Sequence, residues 1–187
     1  MKTLKLIIAL SLSVLMFSGF WSSDNPDTLK KERQTDSKEI LQLLYEYAPK
    51  SKKLLKSAYG YATFSNVGVN LILFSAEGGT GLAHNNKTGK NTYMNMGSGG
   101  VGFGLGVKDF RAIFIFENKK VFNDFVDSGW EANAQADAAA KAGKDGGALN
   151  AAITVAPGVK LYKLTQTGLA IQATIQGTKY WKDGDLN

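Results

Sequence analysis

The sequence predicts an α+β fold: N-terminal helices packed on a strongly bent, mostly antiparallel sheet or barrel with one inserted helix. Three observations lead to this class. Apolar residues recur every three or four positions between residues 36 and 59, which indicates helices. From Val67 onward they alternate with a period of two, which indicates strands. The segment "NKKVFNDFVDSG" alone returns to helical spacing, with Gly129 as its stop. Two helices, then many strands and one inserted helix, are typical of α+β proteins.

Length and composition limit the possible functions. A chain of 187 residues has room for one domain. The sequence contains no cysteine, which excludes disulfides, thiolate metal sites and cysteine nucleophiles. The formal net charge of +6 is mild, so we predict no nucleic-acid partner.

Residues 1–23 are predicted to be a secretory signal. Lys2 and Lys5 precede an apolar run from Leu6 to Phe17, the order of charge and hydrophobicity that signal peptides show. The run is shorter than the roughly 20 residues that a membrane-spanning helix needs. No clean A-x-A cleavage pattern follows, so retention as an anchor is the alternative. Removal of Lys2 and Lys5 lowers the formal charge from +6 to +4. We expect export to the periplasm or cell envelope, with secretion as a further possibility.

After the signal, a polar linker is predicted over residues 24–35, followed by a single domain over residues 36–187. Asp36 with Glu39 has the form of a capping box at the start of a helix. Pro49 is then suited to the first position of a second short helix.

The second helix carries the predicted binding residues. Its lysines, with no acid among them, are Lys50, Lys52, Lys53 and Lys56. A cationic amphipathic segment suits an anionic membrane surface, where each lysine contributes about 1 kcal/mol. The alternative is an ordinary solvated helix face. Tyr180 and Trp181 are expected to be exposed aromatics that help at an interface, or else to pack at the rim.

The stretch "GSGGVGFGLGV" contains the G-x-G-x-x-G spacing of a dinucleotide-binding turn. Such a turn must open a helix, whereas four glycines here alternate strictly with apolar residues: Gly100, Gly102, Gly104 and Gly106. This period of two predicts a tightly bent strand with another element packed against its bare face. No cofactor is predicted.

A second stretch, "EANAQADAAAKAG", has helical composition but places alanine at every even position from Ala132 to Ala142. We predict a strand from this periodicity. The turn "NNKTGKN", with Gly89 at a positive φ, joins two further strands.

Catalytic and metal-binding residues are not predicted, so the protein is expected not to be an enzyme. His84 is the only histidine and stands among glycine and asparagine residues, and no G-x-S-x-G elbow is present. Asp183 and Asp185 form only a fragment of a calcium loop. Asp124 and Asp127 are expected to face solvent.

Three stretches in order resemble the SYLF domain family, bacterial exported type: "PKSKKLLKSAYGYATFSNVG", "GSGGVGFGLGVKDFRAIFIFEN" and "LYKLTQTGLAIQATIQGTKYWKDGDLN". The resemblance covers about residues 39–187. It implies binding of phosphoinositides and other anionic lipids, and actin binding is associated with fungal members. The sequence departs from the pattern at Ser65, where a proline often stands, and at Asn91 and Thr92, where a tryptophan is common.

Three functional hypotheses follow. The first is a peripheral, non-enzymatic module that binds anionic phospholipids through the lysine segment. The second is a structural or protein-interaction module, actin-binding-like or an envelope scaffold. The third is a carrier with a small apolar ligand inside the barrel.

Overall fold

A computed structural model of the chain describes residues 25–72, 74–100, 104–132, 152–165, 168–169 and 177–187. The helices are α1 (Pro26–Tyr47), α2 (Ser51–Ser57) and α3 (Lys119–Asn123), and α3 continues into a π-helical turn (Asp124–Ser128). The strands are β1 (Gly60–Ile72), β2 (Phe74–Asn85), β3 (Asn91–Gly100), β4 (Gly104–Phe116), β5 (Trp130–Glu131), β6 (Ile153–Ala156), β7 (Val159–Thr165), β8 (Gly168–Leu169) and β9 (Thr178–Lys182).

The described strands form one curled antiparallel sheet, a half-barrel. Its order is β5-β9-β3-β2-β1-β4-β7-β6, and β8 pairs with β7. Every pairing is antiparallel. The predicted α+β class, with a strongly bent sheet and one inserted helix, is confirmed.

The inner face of the sheet is filled mainly by aromatic side chains. Phe64, Phe114 and Phe116 point inward from β1 and β4, and Phe125 of the π-helical turn packs against them. Ring centroids of Phe116 and Phe125 lie 4.8 Å apart. Aromatic pairs at such distances stabilise a core beyond the apolar area that they bury.

The outer face is covered by α1 and α2. Ile40, Leu44 and Leu55 of these helices pack on Ile113 and Ile115 of β4. Inward and outward side chains alternate over residues 112–116 of β4, as the period of two requires. The sheet therefore has a core on each face, which explains why "RAIFIF" is almost continuously apolar.

The predicted linker is corrected by the structure, because residues 26–35 belong to α1. Asn25 is the N-cap and accepts a hydrogen bond from the backbone N–H of Asp27, and Pro26 occupies the first helical position. Asp36 and Glu39 therefore lie inside the helix and are not its capping box. Likewise α2 begins at Ser51, two residues later than the predicted start at Pro49.

The glycine-alternating stretch is also corrected. It is the end of β3 and the start of β4, which are not neighbours, since β2 and β1 lie between them in the sheet. The two parts are extended as the period of two predicts, while residues 101–103 lie outside the described residues. The predicted alanine strand is outside them as well, apart from Glu131 and Ala132 at its start.

Several local predictions are confirmed. The turn between β2 and β3 has Gly89 at φ +74°, a backbone conformation that glycine adopts without steric cost. The inserted helix ends at Gly129, at φ +75°. The predicted signal, residues 1–23, lies outside the described residues.

The C-terminal residues are tied to α1 and β3. Arg33 of α1 donates hydrogen bonds to the Asp183 carboxylate (2.8 Å) and to the carbonyl of Met94 (3.0 Å). The side chain of Asn187 bonds both the N–H and the carbonyl of Tyr93, each at 2.8 Å. Leu186 packs with Leu29, Leu82 and Tyr93. These contacts hold the N-terminal half of α1 on the outer face.

Candidate functional site

Helix α2, which carries the predicted binding lysines, is fixed firmly on the sheet. Ser51 and Leu55 are buried. The side-chain amide of Asn86, in the turn after β2, donates to the carbonyls of Leu55 (2.8 Å) and Ala58 (3.1 Å). The last carbonyls of a helix lack partners within it, so these bonds tie the end of α2 to the turn.

All four predicted binding lysines are exposed: Lys50, Lys52, Lys53 and Lys56. The structure thus places them together on the solvent side of one short helix. Lys52 lies over the ring of Tyr45, with its Nζ 5.6 Å from the ring centroid. Within the described ranges, none of the four forms a salt bridge, and the sequence of α2 contains no acid.

This arrangement suits attraction to a negatively charged plane better than recognition of a shaped ligand. Lysine ammonium groups on flexible stems act as point charges that remain hydrated. Charges of this kind attract anions over about a Debye length, roughly 10 Å at 0.1 M salt. Binding through them is expected to weaken as salt rises.

The two aromatic residues near the C-terminus, Tyr180 and Trp181, differ in how far they are exposed to solvent. Trp181 is 44% exposed, as predicted. Tyr180 is only 2% exposed and packs between Phe64 and Phe114, with ring centroids 4.8 and 5.0 Å away, so the prediction that it is exposed is wrong. Burial, and then the charge of Glu77, raises the pKa of the Tyr180 hydroxyl well above its usual value.

Sequence reasoning missed a polar group on the inner face beside Tyr180. Asn66 is fully buried and donates to the Glu77 carboxylate (3.2 Å), which also accepts from Ser98 (3.2 Å). Among the residues that the structure describes, no hydrogen-bond partner is found for the side-chain oxygen of Asn66 or for the hydroxyl of Tyr180. Strict alternation along β1 signals that Asn66 shares the face of Phe64, but its polarity makes an inward position unexpected.

A groove of about 330 Å³ lies between α1 and the sheet on the outer face. Asp36, Glu39 and Arg111 line it together with Ser65. Burial and the nearby charge of Glu39 raise the pKa of Asp36, and Arg111 opposes this shift. The groove therefore combines both charge signs within a small volume.

The residues considered for catalysis or metal binding form hydrogen bonds or ion pairs with other residues of the fold. His84 Nδ1 lies 2.6 Å from the side-chain oxygen of Asn91. Asp124 pairs with Lys120, and Asp127 pairs with Lys182. Asp124 and Asp127 are both exposed, as expected from the helical spacing. Asp183 is occupied by Arg33 and by the backbone N–H of Asp185 (2.9 Å).

Large side chains fill much of the described part of the inner face, where the carrier hypothesis places a small apolar ligand. Five large residues there are almost completely buried: Phe64, Phe114, Phe116, Phe125 and Tyr180.

Within the described ranges, no helix has both the length and the apolar character needed to cross a bilayer.

Comparison with known proteins gives one informative similarity. No family model matches the sequence, so the SYLF resemblance stays a prediction. The chain is 38% identical over 165 residues to "Beta cell expansion factor A" of Aeromonas veronii. The aligned region covers 87% of this chain and 61% of that protein, so the chain spans about three-fifths of the relative's length.

Proposed function

We propose that the protein is a non-enzymatic module that binds anionic phospholipid surfaces peripherally after export to the cell envelope. The contact is made by Lys50, Lys52, Lys53 and Lys56. The name of the relative from Aeromonas veronii refers to an effect on beta cells and specifies neither a ligand nor a reaction. The proposal rests on the chemistry of α2.

The observation that carries the proposal is the concentration of exposed lysines on a helix that is fixed in place. Helix α2 presents its charges without an acid of its own, and Asn86 holds its last carbonyls. Each lysine near an anionic leaflet contributes about 1 kcal/mol, so four together give useful, salt-sensitive binding. The lipid head group recognised is an anionic phosphate ester, as in phosphoinositides or other acidic phospholipids.

A protein-interaction module is the alternative, and one observation favours it. Trp181 is exposed on β9 and lies over Gly97 of β3, where a Cβ atom would approach its ring to 3.2 Å. Exposed tryptophan is enriched at the centres of protein interfaces. Under this alternative, Trp181→Ala abolishes capture of a partner while the lysines of α2 are dispensable.

Co-sedimentation with vesicles tests the lipid proposal. The processed protein is mixed with neutral vesicles and with vesicles containing anionic phospholipid, each at low and at physiological salt. We expect binding to anionic vesicles only, weaker at higher salt. The quadruple variant with Lys50, Lys52, Lys53 and Lys56 changed to Gln loses this binding.

A second quadruple variant controls for net charge: Lys30, Lys31, Lys38 and Lys179, each changed to Gln. It also removes four charges and one lysine–aromatic contact, since Lys30 lies over Tyr93 with its Nζ 5.8 Å from the ring centroid. In addition it removes the exposed ion pair between Lys179 and Glu131. We expect it to keep most of the binding. Absence of binding by the folded wild type at low salt would overturn the lipid proposal, and equal losses in both variants would remove α2 as its site.

A further inference from the structure

The strand register brings several separate segments to the end of the sheet where α2 lies. Gly60, at the start of β1, pairs with Asn85 at the end of β2 and with Phe116 at the end of β4. His84 pairs with Asn91 at the start of β3. The turn between β2 and β3 and the segment that leads into α3 therefore emerge beside α2.

Direct contacts join these segments into one surface. Asn86 bonds α2 through its side chain, and its backbone N–H donates to the carbonyl of Tyr59 (3.0 Å). The ring of Tyr59 lies 5.7 Å from that of Phe122 in α3. Lys90 lines a cavity of about 170 Å³ together with Asn123 of α3. The turn thus lies between α2 and α3.

This end of the molecule carries more unpaired positive charge than the sequence segment alone reveals. Lys87, Lys90 and Lys119 are exposed, and no salt bridge to them is found in the described part of the chain. The neighbouring acids are already matched by other lysines, through the pairs Lys160–Glu117, Lys120–Asp124 and Lys182–Asp127. Glu46, near the end of α1, is an exposed acid that reduces the excess by one charge.

We propose that the membrane-contacting surface is this whole end of the half-barrel: α2, the turn at residues 86–90 and the first residue of α3. This inference rests on the proposed lipid-binding function and extends it to Lys87, Lys90 and Lys119. The partner is the surface of an anionic bilayer, which lysines on three adjacent segments approach together, with the strands pointing away from it.

The chemistry of the surface favours a membrane over a nucleic acid. All of its cations in the named segments are lysines, whereas arginine supplies the bidentate contacts typical of nucleic-acid recognition. Tyr59 and Tyr45 are each partly buried, Tyr59 against Phe122 and Tyr45 beneath Lys52, so neither offers a fully open ring for base stacking.

The test compares two triple variants in vesicle titrations. The first changes Lys87, Lys90 and Lys119 to Gln, and the control changes three lysines of α1 to Gln: Lys30, Lys31 and Lys38. A contribution of about five-fold per lysine in contact predicts that the first variant, which removes three lysines, loses vesicle affinity about a hundred-fold. The control is expected to lose less than about three-fold. The dependence of affinity on salt is also expected to be shallower in the first variant only.

The possible outcomes separate this inference from the function on which it rests. Equal effects of the two triple variants, with binding still lost in the α2 variant, would overturn the extended surface and leave the lipid function standing. No binding by the wild type would overturn both. Tighter binding of a single-stranded oligonucleotide than of anionic vesicles, weakened by the first variant, would assign the surface to nucleic acid and overturn the inference. The single substitution Lys87→Glu, at the exposed turn, is a simpler form of the same test, and circular dichroism checks that this variant folds. An unchanged affinity of this variant for anionic vesicles counts against the inference.

Discussion

Arg33 and the lysines of α2 all carry a positive charge, but their surroundings differ. The side chain of Arg33 is 11% exposed and bonds an Asp183 carboxylate that is 8% exposed, and it also donates to the carbonyl of Met94. The α2 lysines lie in solvent with no acid beside them on their helix. The first charge links three parts of the chain that are far apart in sequence, whereas the contact found for the second set, Lys52 over Tyr45, joins only neighbouring helices.

The difference separates charges that hold the fold together from charges that are available to a partner. A buried ion pair is costly to break, because the remaining charge stays desolvated. An exposed lysine is almost neutral for stability, because water replaces whatever contact it makes. Stability and vesicle binding are therefore expected to respond to different substitutions.

The largest expected effect is on stability, from Arg33→Met. The substitution leaves the Asp183 carboxylate without its cation and the Met94 carbonyl without one donor. Loss of a partner from a buried pair costs about 3 kcal/mol. Urea unfolding followed by tryptophan fluorescence measures this, with Lys38→Met on the exposed side of α1 as the control. A change of less than 1 kcal/mol would mean that the pair does not anchor α1.

Lowering the pH is expected to change the free energy of unfolding by a smaller amount. Burial by itself raises the pKa of Asp183, but hydrogen bonds from the backbone of Asp185 and from Arg33, with the Arg33 charge, outweigh it and hold the pKa below its usual value. A lowered pKa means that the stabilisation is complete above the unfolded value of about 3.9 and is lost as pH falls through the folded value.

The acid experiment compares wild type with Arg33→Met at several pH values from 7 down to 3. The difference in unfolding free energy between them is expected to be constant near neutrality and to shrink as pH falls below about 4, because Asp183 of the unfolded chain then binds a proton while the folded wild type still holds the carboxylate ionised. A difference that stays the same at low pH would assign the effect of Arg33 to the Met94 carbonyl and to packing.

The smallest effect on stability is expected from the quadruple variant of the α2 lysines. Exposed substitutions usually change stability by about 0.5 kcal/mol or less, and loss of the Lys52–Tyr45 contact adds about 0.5–1 kcal/mol. The same unfolding experiment is expected to give a total of about 1 kcal/mol. A loss as large as that of Arg33→Met would show that the lysines support the fold, and reduced vesicle binding would then need another explanation.

Much of the fold can be predicted from local sequence patterns. The predictions are wrong where contacts between residues far apart in sequence determine the structure. Strand β1 begins at Gly60, seven residues before Val67, where the predicted strands start, but the Gly89 turn and the inserted helix were predictable from periodicity and glycine positions. The first turns of α1 were not, because residues 28–35 show no continuous apolar stripe. They are held on the sheet by Arg33 with Asp183 and by Gln34 with Tyr93, contacts across 150 and 59 positions.

Prediction of the candidate site is limited in the same way, because contacts between distant residues leave no local pattern in the sequence. The lysines of α2 were identifiable because all four lie within residues 50–56, and their exposure follows from the buried positions of Ser51 and Leu55. The nearness of Lys87 and Lys119 depends on sheet register and has no local signal. In "TKYWK" the sequence does not indicate which aromatic faces inward; the register of β9 against β3, with Tyr180 opposite Met96, decides it.

The side chain of Asn187 completes the pairing of β3 beyond the end of β9. Its amide gives Tyr93 both an acceptor and a donor, the two bonds that the peptide group of an adjoining strand would supply. An unpaired strand edge is a template for addition of a strand from another molecule, and such addition leads to aggregation. The carboxamide of Asn187 and the backbone N–H of Asp183, which donates to the same Tyr93 carbonyl (3.0 Å), thus withhold this position of β3 from intermolecular pairing.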